Sequence, residues 1–280
     1  MVDYEAEYNN RARVPEHPQI FARWANAAAS HRKSHPDAEL GISYGASPRQ
    51  TVDLFWPEGG RDAPIALFIH GGYWRSLEPA AFSHLAAGMN AHGIAFAAIG
   101  YDLCPAVTIK TIIDQIRAAA AFLYRRHERP LTASGHSAGG HLSACLVATD
   151  WKQQGAGLPE NLVSAGLSIS GLFDLSPLMH TAMNGDLRLD PVSAANVSPL
   201  FWDVAPGCTL DAWVGGAESA EFLRQSREIA DVWAGKGVAT EYVAIPGANH
   251  FTVLDPLADP ASAMAQRLAA LARQGGGASH

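Results

Sequence analysis

Gly135-His136-Ser137-Ala138-Gly139-Gly140 sets a serine between two glycines, with the apolar run Leu131 to Ser134 before it and the helical run LSACLVATDW after it. A nucleophile on a sharp strand-to-helix turn needs tiny neighbours, because the turn crowds both elements. Ser137 is the candidate nucleophile. His70-Gly71-Gly72-Tyr73-Trp74 closes a second apolar run, IALFIH. Acyl transfer passes through an oxyanion that fixed backbone N–H donors stabilise, and adjacent glycines let the chain come close to it. Gly71 and Gly72, with the N–H of Ala138, are the candidate donors, and His70 reads as a group that orients this loop rather than one that carries protons.

A serine hydroxyl needs a histidine to take its proton, and the histidine needs a carboxylate to hold its tautomer. His250, in PGANHF, follows the last strand-like run and is the candidate base, whereas His141, His180 and His280 are less well placed. Glu218, directly after the run DAWVGG, is the preferred acid, with Glu221 and Asp174 as rivals. The pair His136 and His141 does not have a recognised ligand spacing, so neither a metal nor an organic cofactor is expected. Tyr73, Trp74, Phe173, Phe201, Trp202 and Phe251 are expected at one rim as flat apolar walls for a planar leaving group. Of these, Tyr73, Trp74, Phe173 and Phe251, together with His136, are the candidate substrate contacts. Without a long lid insertion, the acyl side is expected to take small groups.

The elements that must carry these residues are legible as alternation. Strand-length apolar runs lie at 51–57, 64–72, 93–103, 130–137, 162–171, 209–216 and 240–247, with helical spacing at 79–92, 109–127, 138–149, 219–236 and 257–273. The expected class is α/β, a mostly parallel sheet with helices on both faces. The short link PEGGRDA suggests that 51–57 and 64–72 pair as an antiparallel edge hairpin. Residues 1–40 read as a wrapping segment, 174–206 as a partial cap and 274–280 as a flexible tail, all within one domain spanning 1–280.

Composition narrows the partners. A net charge of −7 offers no basic surface for nucleic acid or anionic membrane, so a small-molecule substrate is expected, with homodimer formation left open. The 3 cysteines, Cys104, Cys145 and Cys208, lack the spacing of a disulfide framework or zinc site. The opening residues are polar and acidic where a signal peptide would be basic and then apolar, which points to the cytoplasm.

Taken together, HGGYW at 70–74, GHSAGGH at 135–141, SGLFDLSPL at 170–178, EFLRQS at 221–226 and GANHF at 247–251 resemble the kynurenine formamidase (arylformamidase) branch of the α/β-hydrolases. That branch neighbours the hormone-sensitive-lipase-like carboxylesterases. The likeness spans roughly residues 50–270, and the opening YNNRARVPEHP is similar to bacterial members. The resemblance implies the α/β-hydrolase fold with a small or partial cap. It also implies Ser137 as nucleophile, His250 as base and the Gly71, Gly72 and Ala138 backbone as oxyanion donors. Many members carry aspartate where this chain has Glu218. The implied activity is hydrolysis of a small acyl amide or ester through an acyl-enzyme. A broader carboxylesterase or thioesterase, a non-catalytic binding protein and a lyase on the same scaffold are the alternatives.

Overall fold

The computed structural model describes residues 2–274. Eight strands form one sheet: β1 (Glu39–Ser43), β2 (Thr51–Phe55), β3 (Ile65–Ile69), β4 (Ala95–Ile99), β5 (Leu131–His136), β6 (Ala165–Ile169), β7 (Thr209–Gly215) and β8 (Ala239–Ile245). Their order is β1-β2-β4-β3-β5-β6-β7-β8. From β4 to β8 all neighbours are parallel, while β1 and β2 join antiparallel at one edge.

The helices are α1 (Tyr4–Tyr8), α2 (Asn10–Arg13), α3 (His17–Ser34), α4 (Ala86–Asn90), α5 (Ile109–His127), α6 (Ala138–Val147), α7 (Asn184–Leu187), α8 (Pro191–Asn196), α9 (Ala220–Ala234) and α10 (Ala263–Gln274). None among the described residues is long and apolar enough to cross a membrane.

The central strands are apolar on both faces because both faces are covered, and the two-residue period of a strand divides them. Ile65, Leu67 and Ile69 of β3 pack into one core with Ile112 and Ile116 of α5, Leu142 of α6 and Phe222 of α9. Ala66 and Phe68 point the other way, to Trp24 of α3, Met89 of α4 and Leu268 of α10. An eight-stranded, mostly parallel sheet between two helical layers is the class read from the sequence.

The expected hairpin of 51–57 with 64–72 does not form. β2 pairs with β1 and β4, and β3 lies beyond β4, next to β5. A strand buried on both faces belongs inside a sheet under two helical layers, and the PEGGRDA link is long enough to carry the chain past β4. The edge is taken by β1, a strand of mixed exposure inside a stretch that reads as polar wrapping. The same stretch holds the 18-residue α3, which starts with Pro18 in its first turn and buries Ile20, Trp24 and Ala28 at helical spacing.

Residues 174–206 break into short helical turns: Ser176–His180, α8 and Pro199–Phe201, each with a proline in its first turn, and α7, which ends at Arg188 in a left-handed backbone. Of the tail expected at 274–280, Gln274 ends α10 and the remainder lies outside the described residues.

Candidate active site

β5 stops at His136 and α6 begins at Ala138, leaving Ser137 alone at the turn with φ 58° and ψ −118°. A non-glycine residue holds such a backbone only where its surroundings enforce it. Here the Ser137 N–H donates to the Ile169 carbonyl at 2.8 Å and the Ser137 carbonyl accepts from His141 N at 3.1 Å. The flanking glycines are steric necessities. A Cβ on Gly139 would stand 1.8 Å from the Ile69 oxygen, and one on Gly135 would stand 2.3 Å from the Gly139 oxygen. The turn therefore presents the hydroxyl at the N-terminus of α6, where the helix dipole favours negative charge.

His250 lies in the loop after β8, with its Nε2 3.1 Å from Ser137 Oγ. Asn249 shapes that loop by accepting from the Phe251 and Thr252 N–H groups, each at 2.9 Å. On the far side of the ring, His250 Nδ1 is 2.5 Å from Glu218 Oε2, and the Glu218 side chain is fully buried. The other carboxylate oxygen accepts from Ser170 Oγ at 2.5 Å and from the Gly215 N–H at 2.7 Å. Ala217 N donates to the Ala248 carbonyl at 3.0 Å, so the loops carrying acid and histidine are tied to each other.

The rival carboxylates are engaged elsewhere. Glu221 accepts from Tyr8 Oη at 2.8 Å and from Arg224 at 2.8 and 2.9 Å, and the guanidinium holds it below the usual carboxylate range. Asp174 caps its own turn, accepting from Ser176 N at 2.9 Å.

The glycine loop runs directly against the serine. A Cβ on Gly71 would lie 3.0 Å from Ser137 Cβ, and Gly72 adopts φ +98°. Among the described residues, no protein acceptor takes the N–H of Gly71, Gly72 or Ala138. His70 holds this loop from behind: its ring stacks on Tyr101 at 4.2 Å, its Nδ1–H donates to the Gly71 carbonyl at 2.9 Å, and its carbonyl accepts from Tyr101 Oη at 2.8 Å. Burial pushes the His70 ring down to about 4, so it stays neutral. His136 is likewise neutral, lowered to about 3 by burial and the neighbouring His250, and its Nε2–H donates to the His250 carbonyl at 2.7 Å.

A cavity of ≈ 420 Å³ opens above Ser137 and His250. Of the expected substrate contacts, Tyr73, His136 and Phe251 line it. Trp74 does not: it is 0% exposed and packs edge-on against His141, because its φ of 57° turns it into the core. Phe173 is also core, its backbone N–H held by Gln225 Oε1. Phe201 is 56% exposed on the outside, and Trp202 lies under the Arg117 guanidinium, so neither reaches the expected rim.

Their places are taken by residues the sequence reading left out: Tyr8, Asn10, Phe21 and Trp24 from the N-terminal segment, and Arg75 with its ion-pair partner Asp186. The pairs Tyr4/Tyr8 and Phe21/Trp24, each at helical spacing, were the available signal. Tyr73 is anchored by this segment, donating to the Tyr8 carbonyl at 2.7 Å and accepting from Asn10 Nδ2 at 3.1 Å. Ser170, with φ 51°, was also missed.

The chain is similar to several known proteins. The BD-FAE family model matches residues 52–179. The kynurenine formamidase of Danio rerio is 26% identical over 228 residues, covering 79% of this chain and 77% of that protein. That of Drosophila melanogaster is 29% identical over 238 residues, covering 78% and 76%. The crystal structure of a putative thioesterase from Silicibacter is 33% identical with a TM-score of 0.85, covering 95% of this chain and 98% of that one. Esterase B of Lactobacillus rhamnosis shares the fold, at 21% identity and TM-score 0.65 over 94% and 97% of the two chains. The chain is similar to kynurenine formamidases, has the α/β-hydrolase fold and is a hydrolase of amide or ester bonds.

Proposed function

We propose that this hydrolase removes a small acyl group, formyl or acetyl, from a planar aryl amine or alcohol through an acyl-serine intermediate. The observation that carries the reading is the unbroken chain Glu218 Oε2, His250, Ser137 Oγ on the floor of an aromatic-walled cavity. His250 Nε2 takes the Ser137 proton as Oγ attacks the carbonyl carbon, and Glu218 stabilises the imidazolium through Nδ1–H. The carbonyl oxygen, now negative, is held by N–H groups of Gly71, Gly72 and Ala138. Collapse expels the amine or alcohol, which takes the proton from His250. Water then attacks the acyl-serine with His250 as base, releasing the acid and restoring the hydroxyl. Every group used belongs to the chain, apart from substrate and water.

Two features support a small acyl group. Gly71 presses against the nucleophile, and the N-terminal segment pins Tyr73 over the cavity. Phe21, Trp24 and Phe251 supply flat walls for an aryl group. The 33% identity to a protein named a putative thioesterase favours acyl thioesters as the second reading.

The test is kcat/KM for formyl, acetyl, butyryl and octanoyl esters of one phenol, with formanilides and acyl thioesters alongside. Activity should fall steeply with acyl length, and Ser137→Ala should lose about 10³-fold or more. An octanoyl optimum overturns the small-acyl reading, a thioester preference establishes the second one, and no turnover of any compound leaves a binding protein.

A further inference from the structure

The loop from His70 to Leu77 carries an unusual load of left-handed backbone: Gly72 at φ 98°, Tyr73 at 50°, Trp74 at 57° and Leu77 at 75°. Residues with a Cβ persist in that region only where neighbouring groups over-determine them. Three external bonds do so here. Tyr101 Oη donates to the His70 carbonyl at the start of the loop, the Cys104 N–H donates to the Trp74 carbonyl at 2.8 Å in the middle, and Arg49 Nη2 donates to the Leu77 carbonyl at 2.5 Å at the end. The same guanidinium also reaches the other clamp, its Nε donating to the Tyr101 carbonyl at 3.0 Å.

We propose that Arg49 is a positioning residue of the oxyanion loop: one rigid planar fork sets the distance between the Tyr101 clamp and Leu77, and thereby the placing of the Gly71 and Gly72 N–H groups. This rests on the reading that those N–H groups hold the oxyanion. Arg49 does not touch substrate. It lines a separate solvent-open cleft of ≈ 360 Å³ with Arg32, Thr51, Asp53 and Glu78, which shares no lining residue with the cavity above Ser137. Because pre-placed donors act on the transition state, their displacement lowers kcat and leaves ground-state binding unchanged. The fork geometry is not available to lysine, whose single ammonium cannot span both carbonyls in a fixed plane.

The experiment compares wild type, Arg49→Gly and Arg49→Lys on an aryl acetate, with and without guanidinium chloride at millimolar, non-denaturing concentration and sodium chloride as the ionic control. Arg49→Gly should lose about 10- to 10²-fold in kcat with KM within about twofold, and guanidinium entering the cleft should restore part of kcat saturably. Arg49→Lys should lose less and gain nothing from guanidinium, and wild type should be unaffected. Unchanged kcat in both variants, a rise in KM matching the loss in kcat, or a folded Arg49→Gly that guanidinium does not rescue each overturns the proposal. If Arg49→Gly does not fold, Arg49→Lys decides by its split between kcat and KM. The parallel Ser137→Ala control separates the two failures. Wild-type turnover that survives Ser137→Ala overturns the serine-hydrolase reading itself, whereas Ser137-dependent turnover indifferent to residue 49 overturns only the role of Arg49.

Discussion

Removing the Ser170 hydroxyl tests whether the buried carboxylate works through its full set of donors. Glu218 Oε1 accepts from Ser170 Oγ and the Gly215 N–H, while Oε2 faces His250. Ser170→Ala takes away one charge-assisted hydrogen bond, about 1.5–3 kcal/mol, and leaves no donor stranded, because the serine is itself the donor. A barrier change of about 1.4 kcal/mol is tenfold in rate, so complete transmission to the transition state would lower kcat about 10- to 10²-fold. Glu218→Ala sets the ceiling at about 10²- to 10⁴-fold. KM should hold, since Ser170 does not line the cavity. The φ of 51° supplies an internal control: Ser170→Gly relieves any backbone strain while also removing the hydroxyl. Stopped-flow and steady-state kinetics on one aryl acetate should find both variants equally slow. A Ser170→Gly enzyme with wild-type kcat, or losses expressed in KM, would refute the reasoning.

Ser137→Ala and His250→Ala should each lower kcat by about 10³-fold or more, and the double variant should be little worse than either, because groups acting as a unit are not additive. Additive losses would show that they act separately. The buried His70, His136 and His141 rings are lowered from 6.5 to about 4, 3 and 4. Below pH 6.5 the unfolded chain therefore binds protons that the folded chain refuses. Their contribution to stability is complete above that pH and is lost as pH falls toward about 4, at up to about 1.4 kcal/mol per unit for each ring. Urea unfolding at pH 5 should be weaker than at pH 7 by about 2 kcal/mol or more, and an unchanged midpoint would mean that the rings are charged in the fold.

Local sterics and periodicity are encoded residue by residue, and there the sequence was sufficient. The glycines beside Ser137 betray the turn because any Cβ would strike the Ile69 or Gly139 oxygen. The helix expected at 109–127 is α5, Ile109–His127, because its apolar positions keep one period throughout. The two-sided apolar strands require cover on both faces, and that requirement alone yields the class of fold.

What tertiary structure decided is everything set by contacts between distant segments. The place of β3 beyond β4 follows from competition among strands for the doubly covered interior, which no local pattern records. Three carboxylates stood within reach on sequence grounds. Only the tie between the loops at Ala217 and Ala248, and the donors Ser170 and Gly215, bring Glu218 rather than Glu221 or Asp174 to His250. Trp74 and Tyr73 are adjacent and both aromatic, yet a left-handed backbone sends one into the core while Tyr8 and Asn10 hold the other at the cavity. The N-terminal segment looked peripheral because its apolar residues are sparse. It contributes a wall of the cavity because Tyr8, Phe21 and Trp24 find their partners some two hundred residues away, in α9 and at Phe251, where burial is a property of the assembled chain and not of the segment.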